Sequence, residues 1–125
     1  MKALLSIHPR FSEAILSGLK RYEYRRRVPL RHITHVLIYE TSPTSMVVGE
    51  ARVADILSGS KERVWQATKE AGFLSHEEFS RYFSSTEDAS AIALCDPVRY
   101  GRPISIQELG LTRPPQSFCY IGGDR

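Results

Sequence analysis

A chain of 125 residues, 42% apolar and 25% charged, is long enough to bury one core, and it holds no apolar run of about 18 residues that would cross a bilayer. Its opening, Met1 to Pro9, turns polar too soon for a secretory signal, and Cys95 with Cys119 matches no metal or redox spacing, so a cytoplasmic protein with buried thiols is expected. Thirteen of the 17 cations behind the net charge of +3 are arginine, which suits bidentate contact with phosphate or carboxylate and points to an anionic partner.

Ala3 to Ile7 reads as a short strand ended by His8-Pro9, with the proline placed to open a helix on which Phe11, Ala14 and Ile15 recur. Gly18 is the natural left-handed cap of that helix, so the next strand leaves directly from its end. That strand, within Gly18 to Arg27, carries five cations from Lys20 onward and the one carboxylate of Glu23. Alternation sends Arg21, Glu23 and Arg25 to one face, and Tyr22 and Tyr24 to the other, toward apolar neighbours.

Val28-Pro29-Leu30 breaks the run, and His32 to Glu40 reads as a deeply buried strand, followed by a loop around Pro43. Met46 to Leu57 is the longest strand signal, with Gly49 marking a bulge or a close backbone approach. From Ser60 to Gly72 the period is helical, and Ser75 with Glu78 forms a capping box that starts a second helix bearing Phe79, Tyr82 and Phe83. Ala89 to Cys95 returns to strand and Val98 to Tyr100 continues it past Pro97. A helical turn is expected near Gln107-Glu108-Leu109, and Ser117 to Ile121 closes the chain as a strand. No repeat, low-complexity tract or linker divides residues 1–125, so a single α+β domain is expected: a small mixed β-barrel with helices on its rim.

Residues 1–34 hold Lys2, Arg10, Lys20, Arg21, Arg25, Arg26, Arg27 and Arg31 against only Glu13 and Glu23. Two readings of the basic strand stand side by side: a cleft wall that holds a nucleotide or phosphate, or solvated charge guarding an edge from aggregation. Glu23 and Arg25 lie roughly 7 Å apart on one face and can act on one ligand. Arg26, Arg27 and Arg31 form either an outer phosphate-tracking patch or a plain solvated edge. His32 and His35 fall on opposite faces of their strand and complete no metal site, Trp65 reads as a core anchor, and no nucleotide-cofactor or hydrolase motif is present.

Gly18, Lys20, Glu23 and Arg25 are spaced as in the signature of the ASCH domain: glycine, any residue, lysine, two residues, glutamate, any residue, arginine. With Leu5 to Pro9 before them, Val48-Gly49-Glu50, the helical insertion, and Pro114 to Phe118 leading into the last strand, the chain resembles that family over nearly its whole length. The resemblance implies a PUA-like, OB-related barrel whose cleft receives Lys20, Glu23 and Arg25. It further implies RNA or modified-nucleotide binding, in RNA processing or transcription regulation; with the neighbouring cations the expected binding residues are Lys20, Arg21, Glu23, Arg25, Arg26 and Arg27, and no cofactor or metal is expected.

Some relatives are enzymes, which implies two alternatives: an amidohydrolase of acetylated cytidine or a ribonuclease, with Lys20 and Glu23 catalytic. The amidohydrolase branch has threonine where Glu23 stands here, and its third residue is a glutamate from the helical region, for which Glu70, Glu77 and Glu78 are candidates. A further alternative is a protein-interaction module whose basic face meets an acidic partner.

Overall fold

Pro9 begins α1 (Pro9–Leu16) immediately after β1 (Lys2–Ile7), and Gly18, at φ +86°, turns the chain out of the helix as its spacing predicts. The computed structural model describes residues 1–122. After α1 come β2 (Tyr22–Tyr24), β3 (His35–Glu40), β4 (Met46–Ser60), α2 (Lys61–Thr68), α3 (His76–Tyr82), β5 (Asp88–Ile104), a 3-10 turn at Ile106–Leu109 and β6 (Phe118–Ile121). The capping box of Ser75 and Glu78 is present at the start of α3. No helix among the described residues is long and apolar enough to cross a membrane.

The six strands form one sheet in the order β2-β5-β4-β3-β1-β6, with β1 and β3 parallel and every other pair antiparallel. β4 and β5 are longer than the local pattern foretells because they pair with each other from Val47↔Ile104 to Ser60↔Asp88, absorbing the bends in three register shifts. Gly49 sits at such a bend. A Cβ there would lie 2.4 Å from the Val98 carbonyl oxygen and 2.7 Å from Leu16, so the close approach read from the sequence is real.

The expected α+β class holds, but the sheet is not closed into a barrel. β2 and β6 are the two edges of an open sheet and pair with only one neighbour each. Both are short, three and four residues, and the charged groups of the β2 segment occupy the gap where a closing ladder would run.

The core has three parts. Ala3, Leu5, Ile15, Val36, Ile38 and Ile92 pack between α1 and the sheet, with Phe118 and Tyr120 against them. Leu4, Leu37, Tyr39, Val47 and Ile106 fill a second cluster. The helical insertion has its own, in which Tyr24, Val64, Phe79 and Phe83 are buried and Trp65 packs alongside. Tyr24 joins that insertion to β2: its ring meets Phe79 edge-on at 5.1 Å, and its hydroxyl donates to Thr68, which donates in turn to the Val64 carbonyl. Cys95 and Cys119 are free and half-buried rather than fully buried, Cys95 reaching the Arg52 carbonyl.

Candidate functional site

The gap between the two sheet edges is a solvent-open cleft of about 620 Å³. Ser6, Ile7 and His8 enter it from the end of β1, Phe11 from α1, Lys20 and Glu23 to Arg26 from the β2 segment, Leu74, Glu78, Arg81 and Tyr82 from the insertion, and Gln116 and Ser117 from just before β6. That volume lies within the roughly 300–1,000 Å³ of small-molecule sites.

Lys20 forms the floor with only 3% of its surface exposed. Its Nζ donates to the Gly72 carbonyl at 2.6 Å, lies 4.0 Å from Glu23 Oε1, and sits over the rings of Tyr24 and Phe11 at 4.8 and 5.2 Å. Burial pulls its pKa down to about 8; Glu23 opposes the shift, while Arg10 and Arg25 add to it. The lysine thus changes charge far closer to neutrality than an exposed one.

Glu23 and Arg25 are buried as well. Arg25 Nε donates to Glu23 Oε2 at 3.1 Å and Nη2 lies 3.0 Å from the same oxygen. The rest of the guanidinium is directed at the opposite sheet edge: Nη2 donates to the Ser6 carbonyl at 2.8 Å, and Nη1 donates to both the carbonyl and the hydroxyl oxygen of Ser117 at 3.2 Å. Four hydrogen bonds and the ion pair with Glu23 therefore tie the guanidinium to the protein. Arg25 rivets β2 to β1 and β6 and holds one oxygen of Glu23, which leaves Glu23 Oε1 and Lys20 Nζ as the adjacent acceptor and donor on the cleft floor. Among the described residues, no buried side-chain nitrogen or oxygen lacks a hydrogen-bond partner.

The other residues read from the sequence separate. Arg26 is exposed on the rim, its Nε donating to the Tyr82 carbonyl at 2.9 Å and its guanidinium stacked 4.1 Å over the Tyr82 ring. Arg21 and Arg27 are exposed and do not line the cleft. The strand begins only at Tyr22, so the alternation that would group Arg21 with Glu23 does not reach it. Of the three carboxylates of the helical region, Glu78 reaches the cleft; Glu70 does not, and Glu77 is an exposed partner of Arg81.

Sequence reasoning missed the rest of the lining. Arg81 and Tyr82 carry a helical signal but nothing local to say which face meets the cleft. Ser6, His8 and Ser117 are brought in by the β1–β6 pairing, which no nearby residue announces.

The ASCH domain family matches residues 5–98. A protein of Zymomonas mobilis described as an ASCH domain-containing ribonuclease is 36% identical over 96% of this chain and 84% of its own. The crystal structure of ASCH from Zymomonas mobilis superposes with a TM-score of 0.88 at 35% identity, over 98% of this chain and 88% of that one. The structure of a tyrosine-to-phenylalanine variant of it gives the same TM-score at 34% identity, over 98% of this chain and 91% of that one. The family match, the identity to the relative and the overall superposition agree, and the chain belongs to the ASCH domain family.

Proposed function

We propose that this domain binds single-stranded RNA, taking one nucleotide into the cleft and tracking the neighbouring phosphates with rim arginines. The observation that carries the reading is the floor: a buried donor, Lys20 Nζ, beside a buried acceptor, Glu23 Oε1, at 4.0 Å, under an opening walled by Phe11, Tyr24 and Tyr82. Adjacent donor and acceptor groups match the edge of a base, aromatic walls match its face, and Arg26 and Arg81 on the rim match the backbone. Single-stranded RNA is the form that offers splayed bases to such a site. The Zymomonas mobilis relative, named as a ribonuclease, supports RNA over other anions.

The test is fluorescence anisotropy of a labelled single-stranded RNA titrated with protein at several salt concentrations. Binding should weaken steeply with salt, by about 0.7 in the log–log slope for each phosphate contacted. Glu23→Gln, which keeps the shape and removes the charge, should weaken binding about tenfold or more, in line with the loss of a buried charge-assisted contact. Absence of binding at low salt would sink the reading.

One observation favours a second reading, RNA cleavage: a lysine with its pKa at about 8 holds a useful neutral fraction near neutral pH. Neutral Lys20 would take the proton from a ribose 2′-hydroxyl. That oxygen then attacks the adjacent phosphorus, the bond to the 5′-oxygen breaks, and the departing oxygen takes a proton, leaving a 2′,3′-cyclic phosphate and a 5′-hydroxyl. The anisotropy probe run on a denaturing gel decides it. Cleavage that rises with pH through about 8 and is lost in Lys20→Met establishes the activity; an intact probe leaves the domain a binder.

A further inference from the structure

Arg10, on the first turn of α1, and Glu78, a cleft-lining residue on α3, stand 68 positions apart in sequence and meet fork on fork. Arg10 Nη1 donates to Glu78 Oε2 at 2.8 Å and Nη2 to Oε1 at 3.4 Å. The guanidinium rests on two rings, 4.9 Å above Phe11 and 5.5 Å above Phe73. Both side chains keep substantial contact with water, 54% and 32% exposed, where an ion pair adds little to stability. Glu78 and Phe11 line the cleft, and Lys20 on its floor feels the charges of both Arg10 and Glu78.

A carboxylate offers an arginine the same pair of oxygens that a phosphate does. We propose that Arg10 is a phosphate-binding residue of the cleft rim and that Glu78 fills its place in the free protein, so that a phosphodiester flanking the bound nucleotide exchanges for the Glu78 carboxylate. This rests on the RNA-binding reading above and adds a residue and a mechanism to it. The aromatic bed keeps the guanidinium oriented through the exchange, so little side-chain freedom is lost on binding. Glu78 thereby sets a threshold. Ligands with a phosphate at the rim can displace it, whereas a bare nucleoside reaching the floor cannot.

The test uses Glu78→Gln. Glutamine at this position still accepts the Ser75 backbone N–H of the capping box, so the helix start is kept and only the charge is removed. The labelled RNA should bind about threefold to tenfold tighter at low salt, with the log–log salt slope unchanged, because Arg10 meets the same phosphate in both proteins. Arg10→Gln should weaken binding by a similar factor, and in the double variant the gain from Glu78→Gln should vanish. A folded Glu78→Gln protein that binds no tighter than the parent overturns the exchange and leaves the pair as a clamp between α1 and α3.

A second readout is independent of RNA: the Arg10 Nε–H resonance, followed while adenosine monophosphate is added to the parent and to Glu78→Gln. It should move in both, saturating at lower concentration in the variant. If the parent ignores RNA while this resonance moves, the rim site stands and the RNA reading falls. If it stays still, the rim site falls, whatever RNA does.

Discussion

A lysine buried to 3% exposure keeps its charge only while its surroundings replace water, and Lys20 does so with one carbonyl, one carboxylate at 4.0 Å and two ring faces. The replacement is incomplete, which is why its pKa falls from 10.5 to about 8. The folded protein therefore releases this proton at lower pH than the unfolded chain does. Between those two values the unfolded state binds more protons, so stability rises with pH. Below about 8 the penalty of the buried charge is present in full; it is relieved as pH climbs toward 10.5. The difference in melting temperature, parent minus Lys20→Met, should become more positive between pH 7 and pH 10, by about 5 to 10 °C for a relief on the order of 2 kcal/mol. Other titrating groups cancel in that difference. Thermal scans of both proteins in matched buffers check it, and a difference that stays flat would show that Lys20 titrates as an exposed lysine does.

At the scale of elements, a side chain does what a closing ladder would do. Arg25 spans from Glu23 on β2 to the carbonyls of Ser6 and Ser117 on the far edge, and its loss leaves a buried carboxylate without its main partner. Arg25→Leu should cost about 3–5 kcal/mol in urea unfolding, and adding Glu23→Leu should recover part of it by removing the stranded charge. If the double variant is no more stable than the single one, the seam carbonyls rather than the carboxylate set the cost. Gly72 makes a related prediction. A Cβ there would fall 1.9 Å from the Tyr24 hydroxyl oxygen, and the same residue's carbonyl holds Lys20. Gly72→Ala should cost about 2 kcal/mol by overpacking and should also lower affinity for RNA, since the loop that anchors Lys20 must move. The features legible in the sequence were those made by neighbours: the Gly18 cap, the capping box at Ser75, and the bend at Gly49 all follow from rules spanning a few residues. What was not legible is the seam. Ser117 stands 92 positions from Arg25, and nothing local distinguishes a strand that will close a barrel from one whose edge will be held by an arginine.

At the scale of the molecule, the cleft exists only once both ends of the chain have come together. Its walls come from β1, α1, the β2 segment, the insertion and the residues leading into β6. The sequence placed Lys20 and Glu23 there through a signature of local spacing, yet it put Arg21 and Arg27 beside them because charge along the chain does not reveal which side of a fold each arginine takes. The structure sorts the arginines into classes that a binding measurement can separate. Arg26 and Arg81 line the cleft, whereas Arg52, paired with Asp96, and Arg102, paired with Glu108, lie outside it. All four are exposed, so replacing any of them should leave stability within about 0.5 kcal/mol. If RNA feels only the net charge of +3, each replacement by alanine should weaken binding equally. If the strand runs along the rim, Arg26→Ala and Arg81→Ala should each flatten the log–log salt slope by about 0.7, while Arg52→Ala and Arg102→Ala leave it unchanged. Removing one cation from either class changes the net charge by the same amount, so a difference in slope between them can come only from where the phosphates lie.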